Sequence, residues 1–304
     1  MRCKKKSPLR LALAKWQLYL LILPAIIYVF IFSYIPMYGV LIAFKNYNPG
    51  LGVWGSPWVG LEHFVRFLEY PKFWSIFSNT LLLSLYSLAP FPITIIFALL
   101  LNELTNIRFK KAVQMISYMP HFFSTVVMCS IILLFTDRST GVINNLISLL
   151  GFERVDFISS TAWFPSIYVW SGVWQDLGWC SIIYISALSG VSPELIEAAR
   201  IDGASKLQIM WHINIPAIIP TIITIQILNC GSILSVGFEK IYLLQNPLNL
   251  SVSQVISTYT YEIGLLGAQF SYSSAIGLFN TVINVAVLCV VNAIAKRVSE
   301  VSIW

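Results

Sequence analysis

Charged residues are scarce in this chain of 304 residues. Asp, Glu, Lys and Arg make up 11% of it and hydrophobic residues 57%, and the mean hydropathy is +0.77. Because a soluble domain is typically about a quarter charged, this composition excludes an ordinary soluble globular protein. None of the five cysteines has a partner at CxxC or metal-ligand spacing. We therefore expect them to pack as small apolar side chains: Cys3, Cys129, Cys180, Cys230 and Cys289.

Sequence motifs for nucleotide binding, catalysis and metal binding are missing as well. The chain has no Gly-x-x-x-x-Gly-Lys-Ser/Thr loop, which binds nucleotide phosphates through its backbone amides. We find no nucleophile–base or metal-ligand cluster on a shared helix face, so a membrane-embedded enzyme ranks last among the functional classes. The sequence predicts no catalytic residue, no metal site and no bound cofactor.

Long apolar stretches dominate what is present. A hydrocarbon core of roughly 30 Å needs about 20 mostly apolar residues per helix, and backbone hydrogen bonds in lipid must close within the segment. The short alternating segments of a membrane barrel are absent. We predict an all-α integral membrane protein, a single domain over 1–304, with spans at about 17–44, 74–101, 112–136, 163–188, 213–236 and 274–295.

Basic residues are distributed unequally across the predicted membrane, and the richer side is assigned to the cytoplasm. That side carries Arg2, Lys4, Lys5, Lys6, Arg10, Lys15, Arg108, Lys110, Lys111, Arg200, Lys206, Lys296 and Arg297. The other side carries Lys45, Arg66, Lys72, Arg138, Arg154 and Lys240. Both termini are therefore predicted to be cytoplasmic, with the basic segment 1–16 near anionic lipid. The asymmetry accounts for the net charge of +6 without a nucleic-acid partner.

The first apolar stretch is predicted to be an uncleaved span. A signal peptide over 1–33 is disfavoured because the apolar run is too long and lacks a small-residue cleavage site.

Two outer segments carry further local predictions. His63 follows the Trp-rich loop after the first span and is expected at the surface, whereas His121 and His212 lie at span ends and are expected to form local hydrogen bonds. In the last outer segment, apolar residues at helical spacing predict a short helix lying against the membrane. They are Val252, Val255, Ile256 and Tyr259.

A short charged segment separates the fourth and fifth spans. It reads Glu197-Ala198-Ala199-Arg200-Ile201-Asp202-Gly203, and Ile213-Asn214-Ile215-Pro216 follows nine residues later. Ser192 is a candidate helix cap, Pro193 suits the first helical position, and Gly203 suits a left-handed helix end. We predict one short helix over about 193–202 and a second over 204–212 that leads into the fifth span.

This segment resembles the EAA loop of ABC importer permeases: EAA, three residues, Gly, nine residues, Ile-x-Leu-Pro, with Ile215 in place of Leu. The resemblance implies the type I importer fold, with six transmembrane helices and cytoplasmic coupling helices within 192–216. It also implies that a separate ATPase, present in two copies, binds ATP and Mg and pushes on this loop. The residues assigned to ATPase coupling are Glu197, Ala198, Ala199, Asp202, Gly203 and Pro216.

Other motifs resemble the carbohydrate branch of the same family. They are Tyr118-Met119-Pro120-His121-Phe122, Trp174-Gln175-Asp176-Leu177-Gly178-Trp179, Gly237-Phe238-Glu239-Lys240, Thr258 to Leu265, and the terminal Ser302-Ile303-Trp304. This resemblance implies an oligosaccharide or polysaccharide fragment as substrate.

Aromatic faces next to hydrogen-bonding groups suit a sugar ring, and an acidic residue within a span usually faces a cavity or a partner. For Asp176, pairing with a basic residue and hydration near the outer interface remain alternatives. Candidates for the substrate pathway are Trp170, Trp174, Gln175, Asp176, Trp179, Tyr184, Asn229 and Asn280, with Asn79, Gln226 and Asn284 as weaker ones.

The leading hypothesis is therefore a permease subunit in a prokaryotic plasma membrane that moves carbohydrate by alternating access. Its expected partners are the ATPase, a second related permease, an extracellular solute-binding protein and membrane lipid. An ion-gradient-driven secondary transporter of a small polar solute is the alternative, although such proteins typically show inverted repeats.

Overall fold

The computed structural model describes residues 16–299, so the N-terminal basic cluster, Cys3 and the ending Ser302-Ile303-Trp304 lie outside the described residues. Within this range there is no strand, and the one isolated bridge joins Lys45 to Trp58. The helices are α1 (Trp16–Phe44), α2 (Gly52–Gly55), α3 (Glu62–Leu68), α4 (Phe73–Glu103), α5 (Ile107–Phe122), α6 (Thr125–Thr136), α7 (Val142–Leu149), α8 (Phe164–Leu188), α9 (Pro193–Ile201), α10 (Lys206–Cys230), α11 (Phe238–Leu244), α12 (Leu250–Ser253), α13 (Ile256–Tyr261) and α14 (Phe270–Ser299).

Four of these helices are individually long and apolar enough to cross a membrane, namely α1, α4, α10 and α14. Two bent pairs, α5 with α6 and α8 with α9, raise the number to six when each pair counts as one span. The all-α membrane fold predicted from composition is confirmed, because helices carry every long apolar stretch among residues 16–299.

The third apolar stretch is not one straight helix. The chain bends by 103° between α5 and α6, where Phe123 is extended and Ser124 caps the new helix by accepting a hydrogen bond from the amide of Val127. Pro120 begins the last turn before the bend. Hydropathy averages over such a break, which is why a single span over 112–136 was expected.

The fifth apolar stretch begins earlier than expected. A capping box between Ser205 and Gln208 starts the helix at Lys206, and a π-helical turn over Met210–Asn214 carries it into the long apolar part. The second short helix and the fifth span are therefore one continuous helix, α10.

Three apolar clusters hold the helices together. One joins α4, α6, α8 and α11, and a second joins α3, α4, α13 and α14. The third joins α4, α8 and α10 around Tyr184 and Ile218. By contrast, α1 is exposed from Trp16 to Tyr38 and meets α14 only through its final 3-10 segment, Tyr38–Phe44.

Two local predictions for the outer segments are wrong. The expected helix against the membrane is two helices, α12 and α13, separated at extended Val255, and Val255, Ile256 and Tyr259 are buried in the protein core. They lie inside because α4, α11 and α14 cover them. His63 is also buried rather than at the surface, with Nε2 3.2 Å from the carbonyl oxygen of Lys45.

Candidate functional site

The charged segment after α8 forms a helical elbow. The chain bends by 79° between α8 and α9, and Pro193 occupies the first position of α9. The helix ends at Gly203, whose φ of +82° lies in the left-handed region. The amide of Ala204 then donates to the carbonyl of Ala199 at 2.9 Å. Ser192 makes no side-chain capping bond, so the expectation for that residue is wrong.

The residues assigned to ATPase coupling lie mostly on the surface of this elbow. Glu197, Ala198, Asp202 and Gly203 are exposed, and Ala199 is half-buried. Pro216 is exposed at the start of the α-helical part of α10, eight residues beyond Gln208 of the capping box. The motif residues of α9 are therefore accessible to a partner molecule at the surface of the chain.

Large apolar side chains surround the motif, and sequence reasoning missed them. Ile201 is 87% exposed, Leu207 73% and Trp211 70%. The sequence did contain a signal for them, because they are large apolar residues within the charged segment that carries the motif. We name Ile201, Leu207 and Trp211 the elbow patch. Exposed apolar side chains of this size beside a helix end are typical of a surface that contacts another protein or the membrane.

A cavity of about 670 Å³ lies between the helices. Its walls come from the middle of α4, from α8 and from α10, and Lys240 of α11 also lines it. The helix α4 opens at this level because Pro90 interrupts it between Leu88 and Phe91. Helices α8 and α10, which line the cavity, are also the two helices that α9 connects.

Five of the eight predicted pathway residues line this cavity: Gln175, Asp176, Trp179, Tyr184 and Asn229. The remaining three do not. The indole of Trp170 donates to the hydroxyl of Tyr86 at 3.0 Å, and Trp174 is exposed on the outside of the bundle. The side-chain oxygen of Asn280 is buried in α14 without a hydrogen-bond partner.

Among the weaker candidates, only Gln226 reaches the cavity, where its side-chain oxygen accepts a hydrogen bond from Asn229 at 3.1 Å. The other two join segments of the protein. Asn79 donates to the carbonyls of Ser251 and Gln254, and Asn284 accepts from the amide of Leu234.

Asp176 pairs with a histidine of another helix. His121 Nδ1 lies 2.8 Å from Asp176 Oδ1, and the imidazole stacks on Trp179 at 4.5 Å between ring centroids. The expectation of a local bond at His121 is wrong. Gly178 makes the contact possible, since a Cβ at that position would collide with the backbone of Ser117 in α5. Asp176 therefore lines the cavity and also pairs with a histidine, while its side chain stays 50% exposed.

Lys240 is a charged cavity residue that sequence reasoning did not assign to the pathway. It had been counted as an outer-side basic residue, although the Gly237–Lys240 motif could have drawn attention to it. Its ammonium donates to the carbonyl of Tyr168 at 3.0 Å and lies 5.0 Å from the centroid of the Tyr168 ring. Burial lowers the pKa of Lys240 from 10.5 to about 8.

The cysteines form no disulfide in the part of the chain that the structure describes. Cys129 is buried in the core, in agreement with the packing prediction, whereas Cys180 and Cys289 are exposed. Within residues 16–299, no three His, Cys, Asp or Glu side chains are grouped closely enough to hold a metal ion.

Comparison with known proteins identifies the family. The sequence pattern of the binding-protein-dependent transport system inner membrane component matches residues 90–300. Two Bacillus subtilis (strain 168) proteins are similar over nearly the whole chain. The polygalacturonan/rhamnogalacturonan transport system permease protein YteP is 42% identical and covers 99% of this chain and 94% of its own length. Protein LplB is 45% identical and covers 94% and 90%.

Solved structures agree with the sequence comparison. A bacterial ABC transporter involved in the import of the acidic polysaccharide alginate contains a chain with a TM-score of 0.88 and 38% identity. The match covers 97% of this chain and 100% of that one. A bacterial alginate ABC transporter in complex with a periplasmic protein that holds an alginate pentasaccharide gives a TM-score of 0.89 at 37% identity.

These matches support the type I importer fold and the leading hypothesis, and they oppose the ion-gradient-driven transporter and the membrane-embedded enzyme. The chain belongs to the family of binding-protein-dependent transport system inner membrane components, and it is a membrane-embedded transport subunit rather than an enzyme.

Proposed function

We propose that this chain is the permease subunit of an ATP-driven importer for an oligosaccharide or polysaccharide fragment. A binding protein delivers the substrate from outside, a second related permease completes the pathway, and two copies of a separate ATPase supply the energy. The chain itself binds no ATP, Mg or other cofactor. Transport proceeds by alternating access of the cavity, in the plasma membrane of a prokaryote, with both termini in the cytoplasm.

One observation carries this proposal: α9, with its exposed motif residues and the elbow patch, directly connects the two helices that line the cavity. A partner that grips the elbow and moves it therefore moves α8 and α10 together. Ile201 and Trp211 supply apolar contact area for that partner, and Glu197 and Arg200 supply charged hydrogen-bonding groups at its rim.

The cavity supports a sugar as cargo. Sugar rings present apolar C–H faces and polar edges, so they bind best where aromatic rings alternate with amide and hydroxyl groups. Trp179 and Tyr168 offer such rings, and Gln175, Gln226 and Asn229 offer side-chain amides. The name of the relative YteP, which concerns polygalacturonan and rhamnogalacturonan, and that of the solved transporter, which concerns the acidic polysaccharide alginate, agree with this assignment.

The proposal is tested by uncoupling the elbow from the cavity. The complete complex, reconstituted in liposomes with its binding protein, is assayed for substrate-stimulated ATP hydrolysis and for uptake. Replacing Gly203→Ala strains a left-handed position, and Glu197→Gln removes the charge at almost constant volume. Both variants are expected to reduce stimulated hydrolysis several-fold and to insert normally.

Gly151→Ala is the matched control, because Gly151 has nearly the same φ, +84°, and like Gly203 has open space at its Cβ position. It lies after α7, far from the elbow in the sequence. This variant carries the same backbone strain and should retain full coupling. Normal stimulation and uptake in the Gly203 and Glu197 variants would contradict the proposed coupling role.

A further inference from the structure

Lys240 is the one basic side chain on the cavity wall in the part of the chain that the structure describes. It reaches the wall from α11 by lying against α8 at Gly172, where the absence of a side chain leaves room for the ammonium. A Cβ at Gly172 would stand 3.3 Å from Nζ. Together with the Tyr168 ring and carbonyl, Gly172 thus forms a fitted seat for a positive charge.

This ammonium is only partly satisfied by the protein. A lysine has three N–H donors, and the described residues provide one hydrogen-bond acceptor, the carbonyl oxygen of Tyr168. No carboxylate in residues 16–299 lies within 4.0 Å of it. A partly buried cation without an ion pair is costly to hold, and the lowering of its pKa reflects that cost. Its free donors point to an acceptor that arrives with the cargo.

Asp176, the acidic residue of the cavity, does not accept a hydrogen bond from the Lys240 ammonium. Asp176 is bonded to His121 at 2.8 Å, and it follows Gly172, against which the ammonium lies, by four residues on α8, which corresponds to about 6 Å along a helix. The two charges therefore stand about one helical turn apart on α8. A carboxylate held by Lys240 is also repelled by Asp176 nearby, which suits passage because a transported group must also be released.

We propose that Lys240 binds the carboxylates of the cargo, so that the transported oligosaccharide is an acidic one built from uronic acid units. This inference rests on the proposed function and narrows it. The seat fits one carboxylate at a time, held by charge-assisted N–H···O bonds beside an aromatic face that packs against the sugar ring. Alginate, an acidic polysaccharide, is the cargo of the solved transporter that this chain resembles.

The test compares a charged and an uncharged version of the same sugar. The reconstituted complex is supplied with oligogalacturonide, with its fully methyl-esterified form, and with a neutral malto-oligosaccharide of equal length. Uptake and stimulated ATP hydrolysis are measured for the unchanged protein and for Lys240→Gln. We expect the variant to lose about tenfold to a hundredfold in apparent affinity for the acid, the range that one charge-assisted hydrogen bond supplies, and to gain or keep activity with the ester.

Two further variants show whether the effect of Lys240→Gln comes from the lost charge at this position, rather than from misfolding or from any Lys-to-Gln substitution. Lys240→Arg keeps the charge and should retain preference for the acid over the ester. Lys72→Gln makes the same substitution at an exposed outer position away from the cavity. It should change neither the uptake of the acid nor that of the ester. Because Lys240→Gln removes a charge that burial disfavours, insertion and melting temperature are expected to stay close to those of the unchanged protein.

The outcomes are distinct. The inference would be overturned if Lys240→Gln lowered the apparent affinity for the acid and for the ester equally, or lowered neither. It would also be overturned if the unchanged protein preferred the malto-oligosaccharide. If no oligosaccharide of any kind were taken up with ATP, the proposed function itself would fail, and the inference would fall with it.

Discussion

His121 and Asp176 are joined across two helices, with Nδ1 and Oδ1 2.8 Å apart, and the imidazole lies flat on Trp179 with an interplanar angle of 5°. The pair fixes the last turn of α5 against the cavity-lining face of α8, next to the 103° bend that leads into α6. One side chain thus connects the bend to the cavity wall by a hydrogen bond and by a stacked ring.

This arrangement predicts an energetic coupling between the two residues. The double-mutant cycle uses His121→Phe, which keeps a ring on Trp179 but removes the hydrogen bond, and Asp176→Asn. Because the side chains are 32% and 50% exposed, solvent weakens the interaction, and we expect a coupling free energy of about 1 kcal/mol. Denaturant titration of the purified permease in detergent measures it. Strictly additive effects of the two substitutions would show that the contact contributes nothing.

Transport of an acidic sugar should decline as the pH rises through about 8. Burial places the pKa of Lys240 near that value, below its ordinary 10.5, so the ammonium is charged at lower pH and loses its proton above it. Two other ionisable groups act on Lys240, namely Cys129 and Asp176, and the Tyr168 ring faces it. Glu239 is its neighbour in the chain and acts on Cys129. The measurement is apparent affinity for oligogalacturonide between pH 6.5 and 9.5, because sugar carboxylates stay ionised throughout.

Lys240→Arg provides the control for this pH profile. Arginine remains protonated at every pH that a protein tolerates, so the decline near pH 8 should disappear in this variant. A profile unchanged by the substitution would assign the pH dependence to another group. Stability should move in the opposite direction to binding: since the unfolded chain holds the lysine proton more tightly, the free energy of unfolding rises between about pH 8 and 10.5.

The sequence was a good guide to the elements whose signals are local. Long apolar runs predicted the helices, and the Pro193 start and Gly203 end of α9 follow from the chemistry of helix ends. The motif spacing of 197–216 led to the family, which the comparisons show. These features depend on neighbours within a few residues, or on a sequence motif with fixed spacing.

Features that depend on distant residues could not be predicted in this way. His121 and Asp176 are 55 residues apart, and Lys240 meets Tyr168 across 72 residues. A hydropathy profile also gives no direction to a side chain, so Trp170 and Trp174 were grouped with Trp179 although only Trp179 faces the cavity. Burial of His63 and Tyr259 likewise requires knowing that α3, α13 and α14 pack together.

The elbow patch predicts a direct effect on assembly with the ATPase. Trp211 is 70% exposed beside the coupling helix, and large exposed aromatic residues commonly dominate an interface, where truncation costs about 2 kcal/mol or more. We expect Trp211→Ser to weaken binding of the purified ATPase roughly thirtyfold and to leave the permease folded. Leu149→Ser, at the last residue of α7, which is 82% exposed, is the matched control. Equal binding by both variants would exclude the elbow patch from the interface.

The loop between α6 and α8 depends on a single buried amide. Asn144 is fully buried, its Nδ2 donates to the carbonyls of Asp137 and Val155 at 3.0 and 2.9 Å, and its Oδ1 accepts from the amide of Val155 at 2.8 Å. Asn144→Leu keeps the branched side chain with the same number of heavy atoms but leaves these backbone groups without partners. We therefore expect a loss of about 2–4 kcal/mol in the free energy of unfolding.

Asn145→Leu is the neighbouring control for this loss. Asn145 is exposed, and its bonds to Thr140 and Arg154 lie at the surface, where water replaces a lost partner. Its substitution should cost less than about 1 kcal/mol. Denaturant titration of both variants in the same detergent compares them directly. A similar small loss for the two would mean that water reaches the loop backbone around Asn144, and that this segment is held by apolar packing of α7 rather than by the amide.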